Sequence, residues 1–113
     1  MHELGILINI AETITSIAQE QGIQEIQTLV LEIGELSPVV PHYIEECYPA
    51  AVHDTILENT ELKIEIVPGI GKCRSCGETF NVVKHHAQCP VCSHSAFDVL
   101  SGKDFIIKEI IAR

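Results

Sequence analysis

The chain has 113 residues, a formal net charge of −9 at pH 7, 46% apolar residues and five cysteines. Its length suits one domain, or one small domain that carries a smaller metal-binding module. The strong negative charge disfavours nucleic-acid binding, because phosphate recognition needs clustered Lys and Arg side chains. No apolar run reaches the ~18 residues of a membrane span, and the start Met1-His2-Glu3 lacks the basic residues of a signal peptide.

Two stretches have the periodicity of amphipathic helices. The first covers residues 4–21, where Gly22 provides a stop, and the second covers residues 41–52. The apolar positions of the first helix are Leu4, Ile6, Leu7, Ile10, Ala11, Ile14, Ile17 and Ala18. Those of the second are Ile44, Cys47, Tyr48 and Ala51. Pro49 lies within the second helix, and we expect it to kink the helix or end it early.

Three further stretches predict β-strands, over residues 25–33, 61–67 and 105–112. The first is apolar at both sets of alternating positions, so we expect both of its faces to be covered. The second alternates between apolar and charged side chains, with the apolar face formed by Leu62, Ile64 and Ile66. The last is too apolar to stand alone and should return to the sheet.

Four of the cysteines form two CxxC pairs, Cys73 with Cys76 and Cys89 with Cys92. Two such pairs can enclose one Zn(II) tetrahedrally and leave no position open for a substrate. Iron held by the same four sulfurs is the alternative. The odd fifth cysteine argues against a disulfide framework, and reduced metal-binding thiols without a targeting segment indicate the cytoplasm.

These elements predict an α+β fold with a small three-stranded sheet and two helices. A four-cysteine module that resembles a zinc ribbon is inserted before the last strand. We expect residues 1–67 and 104–113 to form the α/β body, and residues 68–103 to form the zinc-binding module.

The other cysteine and most histidines have ordinary explanations. Cys47 lies on the apolar face of the second helix and is interpreted as a core residue. Four cysteines already complete the zinc site, so whether His85, His86 or His94 exchanges with one of them is left open. One helix face combines three potential ligands that could hold a divalent ion weakly, and these are His42, Glu45 and Glu46.

The chain carries no sequence motif of a common enzyme class. HExxH, a phosphate-binding glycine loop and a nucleophile elbow are all missing from the sequence. A closed site of four cysteines also has no water to activate. We therefore expect a protein that is not an enzyme.

The N-terminus gathers several nitrogen donors within one short stretch. They are the Met1 amine, the backbone nitrogen and imidazole of His2, and the backbone nitrogen of Glu3, which also brings a carboxylate. Imidazole and amide nitrogens suit Ni(II) or Cu(II). A solvated terminal histidine is the commoner outcome for such a start, so the residues alone leave both interpretations open.

Four segments in this order resemble the HypA/HybF family, the nickel metallochaperones of [NiFe]-hydrogenase maturation. They are Met1-His2-Glu3-Leu4, Leu31-Glu32-Ile33-Gly34-Glu35-Leu36-Ser37, Thr55-Ile56-Leu57-Glu58 and the paired CxxC module. The resemblance implies that His2 is the principal ligand of transient Ni(II), with Glu3 and the Met1 amine close by. It also implies that the four paired cysteines hold structural Zn(II).

The resemblance further implies partners. These are a nickel-binding GTPase, the [NiFe]-hydrogenase large subunit and, in some organisms, the urease maturation proteins, with no nucleic acid and no membrane.

The chain departs from the family at Gly5, which could loosen the first helical turn. It also has no acidic residue between Ser37 and Tyr43, so a further nickel donor must come from Glu3, Glu35 or water.

Two other functions compete with nickel delivery. One is a zinc-ribbon module that binds nucleic acids or proteins, against which the acidic charge weighs. The other is a thiol redox protein that uses the CxxC pairs. Zinc content and the number of free thiols would separate a redox protein from the other two classes.

Overall fold

The computed structural model describes residues 2–113, so every prediction that concerns Met1 lies outside the described residues. These residues form two helices and six strands. In order they are α1 (Glu3–Gln21), β1 (Ile26–Gly34), α2 (Pro41–Val52), β2 (Glu61–Val67), β3 (Ile70–Cys73), β4 (Thr79–Asn81), β5 (Phe97–Ser101) and β6 (Phe105–Ala112). Across the described part of the chain, no helix is both long and apolar enough to cross a membrane.

The strands form two three-stranded sheets, with strand orders β2-β1-β6 and β4-β3-β5. The first is the predicted sheet with its returning last strand, so the α+β fold class is confirmed. The second was not predicted. Its central strand β3 pairs antiparallel with both neighbours, and Gly71 lies opposite Phe80 on β4 and Val99 on β5. These strands have three to five residues, too few to show a clear alternation in the sequence.

Helix α1 ends as predicted but buries a different first residue. Gly22 adopts the left-handed conformation, with φ of 69°, and its N–H donates to the Ala18 carbonyl. The prediction that Leu4 is a core residue was wrong, because Leu4 is 44% exposed while Glu3 is only 4% exposed. Glu3 and Leu7 are four residues apart and lie on one helix face, so the buried stripe begins at Glu3.

Helix α2 begins with Pro41 in its first turn, where a missing backbone N–H costs no hydrogen bond. Pro49 does not end the helix early, because α2 runs from Pro41 to Val52 as its periodicity predicts, and a kink at Pro49 stays a prediction. Tertiary contacts outweigh the lost helical hydrogen bond. Tyr48 is buried and its hydroxyl donates to the Thr60 carbonyl at 3.1 Å, and the last turn buries Val52 as well.

The central strand β1 is buried at both sets of alternating positions, as predicted. Leu29 and Leu31 are fully buried on one set, and Val30 is 6% exposed on the other. The edge strands are less covered. Ile66 on β2 is 51% exposed and Ile106 on β6 is 48% exposed, so the expected burial of Ile66 was wrong. Each edge strand has a neighbour on one side only, which leaves apolar side chains in contact with water.

The chain divides into two compact units. The first contains the residues up to Leu31, Val39–Ile64 and Ile107–Arg113, and the second contains Glu32–Pro38 and Glu65–Ile106. The boundaries predicted from the sequence, at residues 67 and 104, stay a prediction.

Within the second unit, the segment of residues 32–38 bonds to the chain on both flanks of the cysteine region. Glu35 N–H donates to the Val67 carbonyl at 2.8 Å, and Leu36 N–H donates to the Gly102 carbonyl at 2.7 Å. This segment is therefore an integral part of the second unit.

Candidate metal centres

The four paired cysteines converge on one point. Their sulfur atoms all lie within 4.8 Å of one another. Cys73 Sγ is 3.5 Å from Cys92 Sγ, and Cys76 Sγ is 3.6 Å from Cys89 Sγ. Zinc–thiolate bonds of about 2.3 Å in a tetrahedron place the sulfurs about 3.8 Å apart, so these two separations are close to those of a tetrahedral Zn(II) site.

Each CxxC pair sits on a tight turn whose backbone aims both sulfurs at this point. In the first turn, Gly77 N–H donates to the Cys73 carbonyl at 3.0 Å and Gly77 has φ of 77°. In the second, Ser93 N–H donates to the Cys89 carbonyl at 2.9 Å and Ser93 has φ of 66°. The residue after each pair is therefore left-handed, a conformation that costs nothing for glycine and some strain for serine.

Two of the four cysteines are part of a small apolar cluster in the second unit. Cys73 and Cys89 are buried together with Phe80 and Val82, and the ring of Phe97 meets that of Phe80 edge-on at 5.7 Å. Cys92 is half-buried and Cys76 is exposed. Packing in the second unit's core therefore holds Cys73 and Cys89 in position before any metal binds.

The thiols do not ionise equally. A hydrogen bond from the Cys76 backbone N–H, helped by one from Ser75, lowers the pKa of the Cys73 thiol to about 6. At Cys76 a hydrogen bond from the Glu78 backbone N–H favours the thiolate, but desolvation and the neighbouring sulfurs outweigh it and raise the pKa to about 12. Full ionisation therefore requires a cation that neutralises the cluster, which is what Zn(II) supplies.

The histidines of this region lie around the cluster of four cysteines. His94 Nδ1 is 3.3 Å from Cys92 Sγ, so His94 contacts a ligand sulfur. His85 is half-buried, with its ring edge-on to Phe80 at 6.3 Å. His86 is exposed and has φ of 54°. Whether any of them exchanges with a cysteine stays a prediction.

Glu35, one of the predicted sources of a further nickel donor, has a structural role in the second unit. Its Oε1 accepts hydrogen bonds from Gly69 N–H at 3.0 Å and from Asn81 Nδ2 at 3.1 Å. This carboxylate therefore connects residues 32–38 to the chain that leads into β3 and to the end of β4.

At the N-terminus, His2 and Glu3 occupy different environments. His2 is exposed and directly precedes α1, and its carbonyl accepts the Ile6 N–H at 3.0 Å. Glu3 is buried, and its Oε2 accepts the Val40 N–H at 3.3 Å. Val40 is the N-cap residue of α2 and offers no capping side chain of its own. The Glu3 carboxylate accepts the N–H of the N-cap residue itself, as the Glu side chain of a capping box does, and it lies at the positive end of the helix dipole.

A mostly apolar pocket of about 310 Å³ opens beside Glu3. It is lined by Glu3, Leu4, Tyr43 and Cys47. Cys47 is half-buried, so it forms part of the pocket wall as well as packing on α2. On the same helix, the exposed pair His42 Nε2 and Glu46 Oε1 lies 3.0 Å apart, which joins two of the three residues predicted as a weak cation site.

The sequence did not single out a third group of potential ligands, just after α2. Its three ligand atoms lie within 4.8 Å of one another, and the residues are His53, Asp54 and Glu58. Their spacing matches no familiar metal motif. The only local signal was an imidazole next to a carboxylate at the predicted end of a helix.

Comparison with known proteins gives a consistent result. The family model described as "Hydrogenase/urease nickel incorporation, metallochaperone, hypA" matches residues 1–112. Hydrogenase maturation factor HypA of Geobacter metallireducens is 41% identical over 110 residues, and that of Geotalea uraniireducens is 39% identical, each match covering 97% of both chains. The Trichodesmium erythraeum protein of the same name is 37% identical, covering 97% of this chain and 94% of its own.

Two solved structures share the fold. The solution structure of the Ni metallochaperone HypA from Helicobacter pylori has a TM-score of 0.67 and covers 99% of this chain and 97% of its own. A second solution structure of a HypA protein has a TM-score of 0.71 and covers 100% of this chain and 97% of its own. Both are 16% identical to this chain.

Proposed function

This chain belongs to the HypA family, as predicted from its sequence, and on that premise we propose that it carries Ni(II) for insertion into a [NiFe]-hydrogenase. The observation that carries the proposal is the family match over residues 1–112, which includes both candidate metal regions. In this function Ni(II) is a transient cargo, and the protein acts as a carrier without catalysing a reaction.

We propose that the cargo binds at His2, with Glu3 and the Met1 amine as further donors. The exposed His2 imidazole is accessible to an incoming ion, and imidazole together with backbone nitrogen suits Ni(II). The structure supports the position of Glu3 most directly. Its bond to Val40 holds the first turn of α1 against the start of α2, which limits the conformations open to the neighbouring His2.

The cluster of four cysteines is proposed to hold structural Zn(II). The sulfur separations fit a tetrahedral zinc site, and the second unit has only a small apolar cluster around it. Zinc–thiolate bonds would therefore supply much of the folding free energy of this region. With all four positions taken by sulfur, the ion has no open coordination position for a substrate.

The proposed partners are those that the resemblance to this family implies, and the family description itself names hydrogenase and urease. They are a nickel-binding GTPase of the maturation machinery, the hydrogenase large subunit as acceptor, and the urease maturation proteins. Nucleic-acid binding is disfavoured, because the chain has 16 acidic residues and only 7 Lys and Arg residues.

A hydrogenase maturation assay in a host that lacks its own HypA protein tests this function. Wild-type chain should restore hydrogenase activity at low external nickel, and His2→Ala should fail to do so. Excess nickel should rescue the His2→Ala strain, because the defect is in metal delivery. A His42→Ala variant is the matched control, since it also removes an exposed imidazole. Full activity with His2→Ala at low nickel would refute the proposed cargo site.

A further inference from the structure

Helices α1 and α2 of the first unit pack against each other and leave a groove between them, here called the α1–α2 groove. Two pockets mark its course. One of about 310 Å³ is lined by Glu3, Leu4, Tyr43 and Cys47. The other, of about 360 Å³, has a lining that includes Ile8, Ala11 and Thr15 on α1, Ala51 on α2 and Thr55 just after it. The lining advances in the same direction on both helices, so the two pockets are successive parts of one groove.

Apolar side chains follow the groove at helical spacing. Leu4 and Ile8 are four residues apart on α1, and Tyr43 and Cys47 are four residues apart on α2, so each pair lies on one helix face. Leu4, Ile8 and Tyr43 are between 42% and 46% exposed. Single exposed apolar residues are ordinary on a protein surface, but several along one groove are typical of a binding site.

The second pocket is lined by small side chains and by hydroxyl groups that already have partners. Ala11 and Ala51 are buried and leave room above them. Thr15 Oγ1 donates to the Ala11 carbonyl at 2.7 Å, and Thr55 Oγ1 donates to the Val52 carbonyl at 2.6 Å. Because these hydroxyls are satisfied within the chain, covering them with apolar side chains would cost little.

The two helices carry charge of one sign. Their acidic residues are Glu3, Glu12, Glu20, Glu45 and Glu46, and neither helix contains Lys or Arg. Glu12 lines the second pocket, and the exposed Glu46 directly precedes Cys47 of the first. A complementary surface should therefore carry Lys or Arg next to its apolar side chains.

We propose that the α1–α2 groove binds an amphipathic helix of another protein, with its apolar stripe in the groove and Lys or Arg on both flanks. Such helices bind in grooves through apolar residues that repeat every three or four positions. From Leu4 to Thr15 the groove follows α1 for about 17 Å, which corresponds to about three turns of a bound helix.

The charges disfavour two other occupants. A second copy of this chain would bring the same acidic helices, since α1 and α2 are the two helices in the part of the chain that the structure describes. With a net charge of −9 per chain, two copies would repel each other at this surface. An anionic lipid surface would be repelled for the same reason. A basic helix gains from both the apolar lining and the acidic side chains.

Fluorescence anisotropy on the full-length protein, without added nickel, tests the proposal. The probe is a fluorescein-labelled helical peptide of about 14 residues, with Leu at positions i, i+4, i+7 and i+11 and Lys on both flanks. One control peptide has Glu in place of every Lys. A second has the composition of the probe with its Leu residues dispersed around the helix. Wild-type protein should bind the probe and neither control peptide.

Substitutions along the groove locate the binding. Ile8→Asn should raise the Kd of the probe by roughly tenfold or more, because it removes an apolar contact from the groove. Ile66→Asn is the matched control, since it changes an isoleucine of similar exposure on β2, and it should leave the Kd unchanged. Glu12→Gln should weaken binding, whereas Glu20→Gln, on the same helix outside both pockets, should not. Circular dichroism checks that every variant is folded.

NMR chemical-shift mapping supplies a local readout. The probe should shift amide signals of α1 and α2 along the groove in wild type and leave them in place in Ile8→Asn. Nickel takes no part in these measurements, so their outcome is independent of the proposed cargo site at His2. Equal weakening by Ile8→Asn and Ile66→Asn, equal binding of the probe and the dispersed-Leu peptide, or no binding of the probe would overturn the proposal.

Discussion

Glu3 and Val40 are 37 residues apart in the chain, yet Glu3 Oε2 accepts the Val40 backbone N–H at 3.3 Å. This bond joins the first turn of α1 to the N-cap of α2 through a carboxylate that is almost fully buried. The residue next to the proposed nickel ligand is therefore also a structural cap, and a change at Glu3 should affect stability and metal binding together.

Replacing Glu3 should separate the effect of its hydrogen bond to Val40 from the effect of its charge. Glu3→Gln keeps an oxygen acceptor for Val40 N–H and loses the charge that favours the α2 dipole, whereas Glu3→Ala loses both. We expect the free energy of unfolding to fall in the order wild type, Glu3→Gln, Glu3→Ala, as measured by urea titration. Glu12→Ala, an exposed substitution on the same helix, is the control. Equal stability of Glu3→Ala and Glu12→Ala would contradict the capping role.

His2→Ala should abolish specific Ni(II) binding and leave zinc content and fold intact, because the four cysteines lie in a different region. Calorimetry and metal analysis of the purified protein measure both. An N-terminal tag should also weaken Ni(II) binding, because it converts the Met1 amine into an amide. Ni(II) affinity should weaken as pH falls, since imidazole and amine must lose protons before they coordinate.

The His2 prediction has a clear opposite outcome. If a His2→Ala protein with ordinary zinc content still bound one Ni(II) with unchanged affinity, the nickel site would have to lie elsewhere in the chain. The α2 pair His42 and Glu46, together with Glu45, would then be the first residues to substitute.

Removal of the zinc should disorder the region from Cys73 to Cys92 more than the first unit. The first unit has its own core, in which Leu7, Ile14 and Leu29 are fully buried, whereas the cysteine region has only a small apolar cluster and should therefore need the proposed zinc for folding. Chelator treatment followed by amide hydrogen exchange should show lost protection mainly around the cysteines. Uniform loss of protection throughout the chain would mean that the first unit cannot stand alone.

Tyr48→Phe should destabilise the protein by about 1 kcal/mol, because it removes the buried hydrogen bond to the Thr60 carbonyl and leaves that oxygen with one donor fewer. Tyr43→Phe, at a tyrosine that is 46% exposed, should have almost no effect on the urea midpoint. Similar midpoints for the two variants would show that the Tyr48 hydroxyl contributes little.

The same tyrosine should make stability fall in strong alkali. Burial raises the pKa of Tyr48 from 10.0 to about 12, so the folded state holds its proton more tightly than the unfolded state does. Its contribution is present in full below about pH 10 and is lost as pH rises towards 12. Unfolding midpoints measured between these limits should decline less in Tyr48→Phe than in wild type, and parallel declines would argue against this assignment.

Cys47→Ala should lower stability by roughly 1 kcal/mol without changing metal stoichiometry. Cys47 is half-buried at the pocket beside Glu3, so its loss removes packing at that wall. Urea titration measures the first effect, and metal analysis measures the second. Loss of one equivalent of zinc or nickel would show instead that Cys47 is a ligand.

Features that depend on short stretches of chain could be predicted from the amino-acid sequence. The periodicity of residues 4–21 placed α1, which runs over Glu3–Gln21, because a helix is formed by bonds between near neighbours. The spacing of Cys73, Cys76, Cys89 and Cys92 likewise predicted a common metal site, since each turn of two intervening residues aims both sulfurs in one direction.

Contacts between separate elements select which of the possible faces are buried and which distant groups meet. Periodicity allowed the α1 stripe to begin at Leu4, but Glu3 is buried in its place, because a buried carboxylate needs a hydrogen-bond donor and the distant Val40 N–H provides one. Pro49 remains inside α2 because the burial of other side chains of this helix outweighs the helical hydrogen bond that proline cannot donate. His53 and Glu58 approach each other through the turn at Asp54. Such outcomes depend on contacts between separate elements, and local sequence patterns carry no information about them.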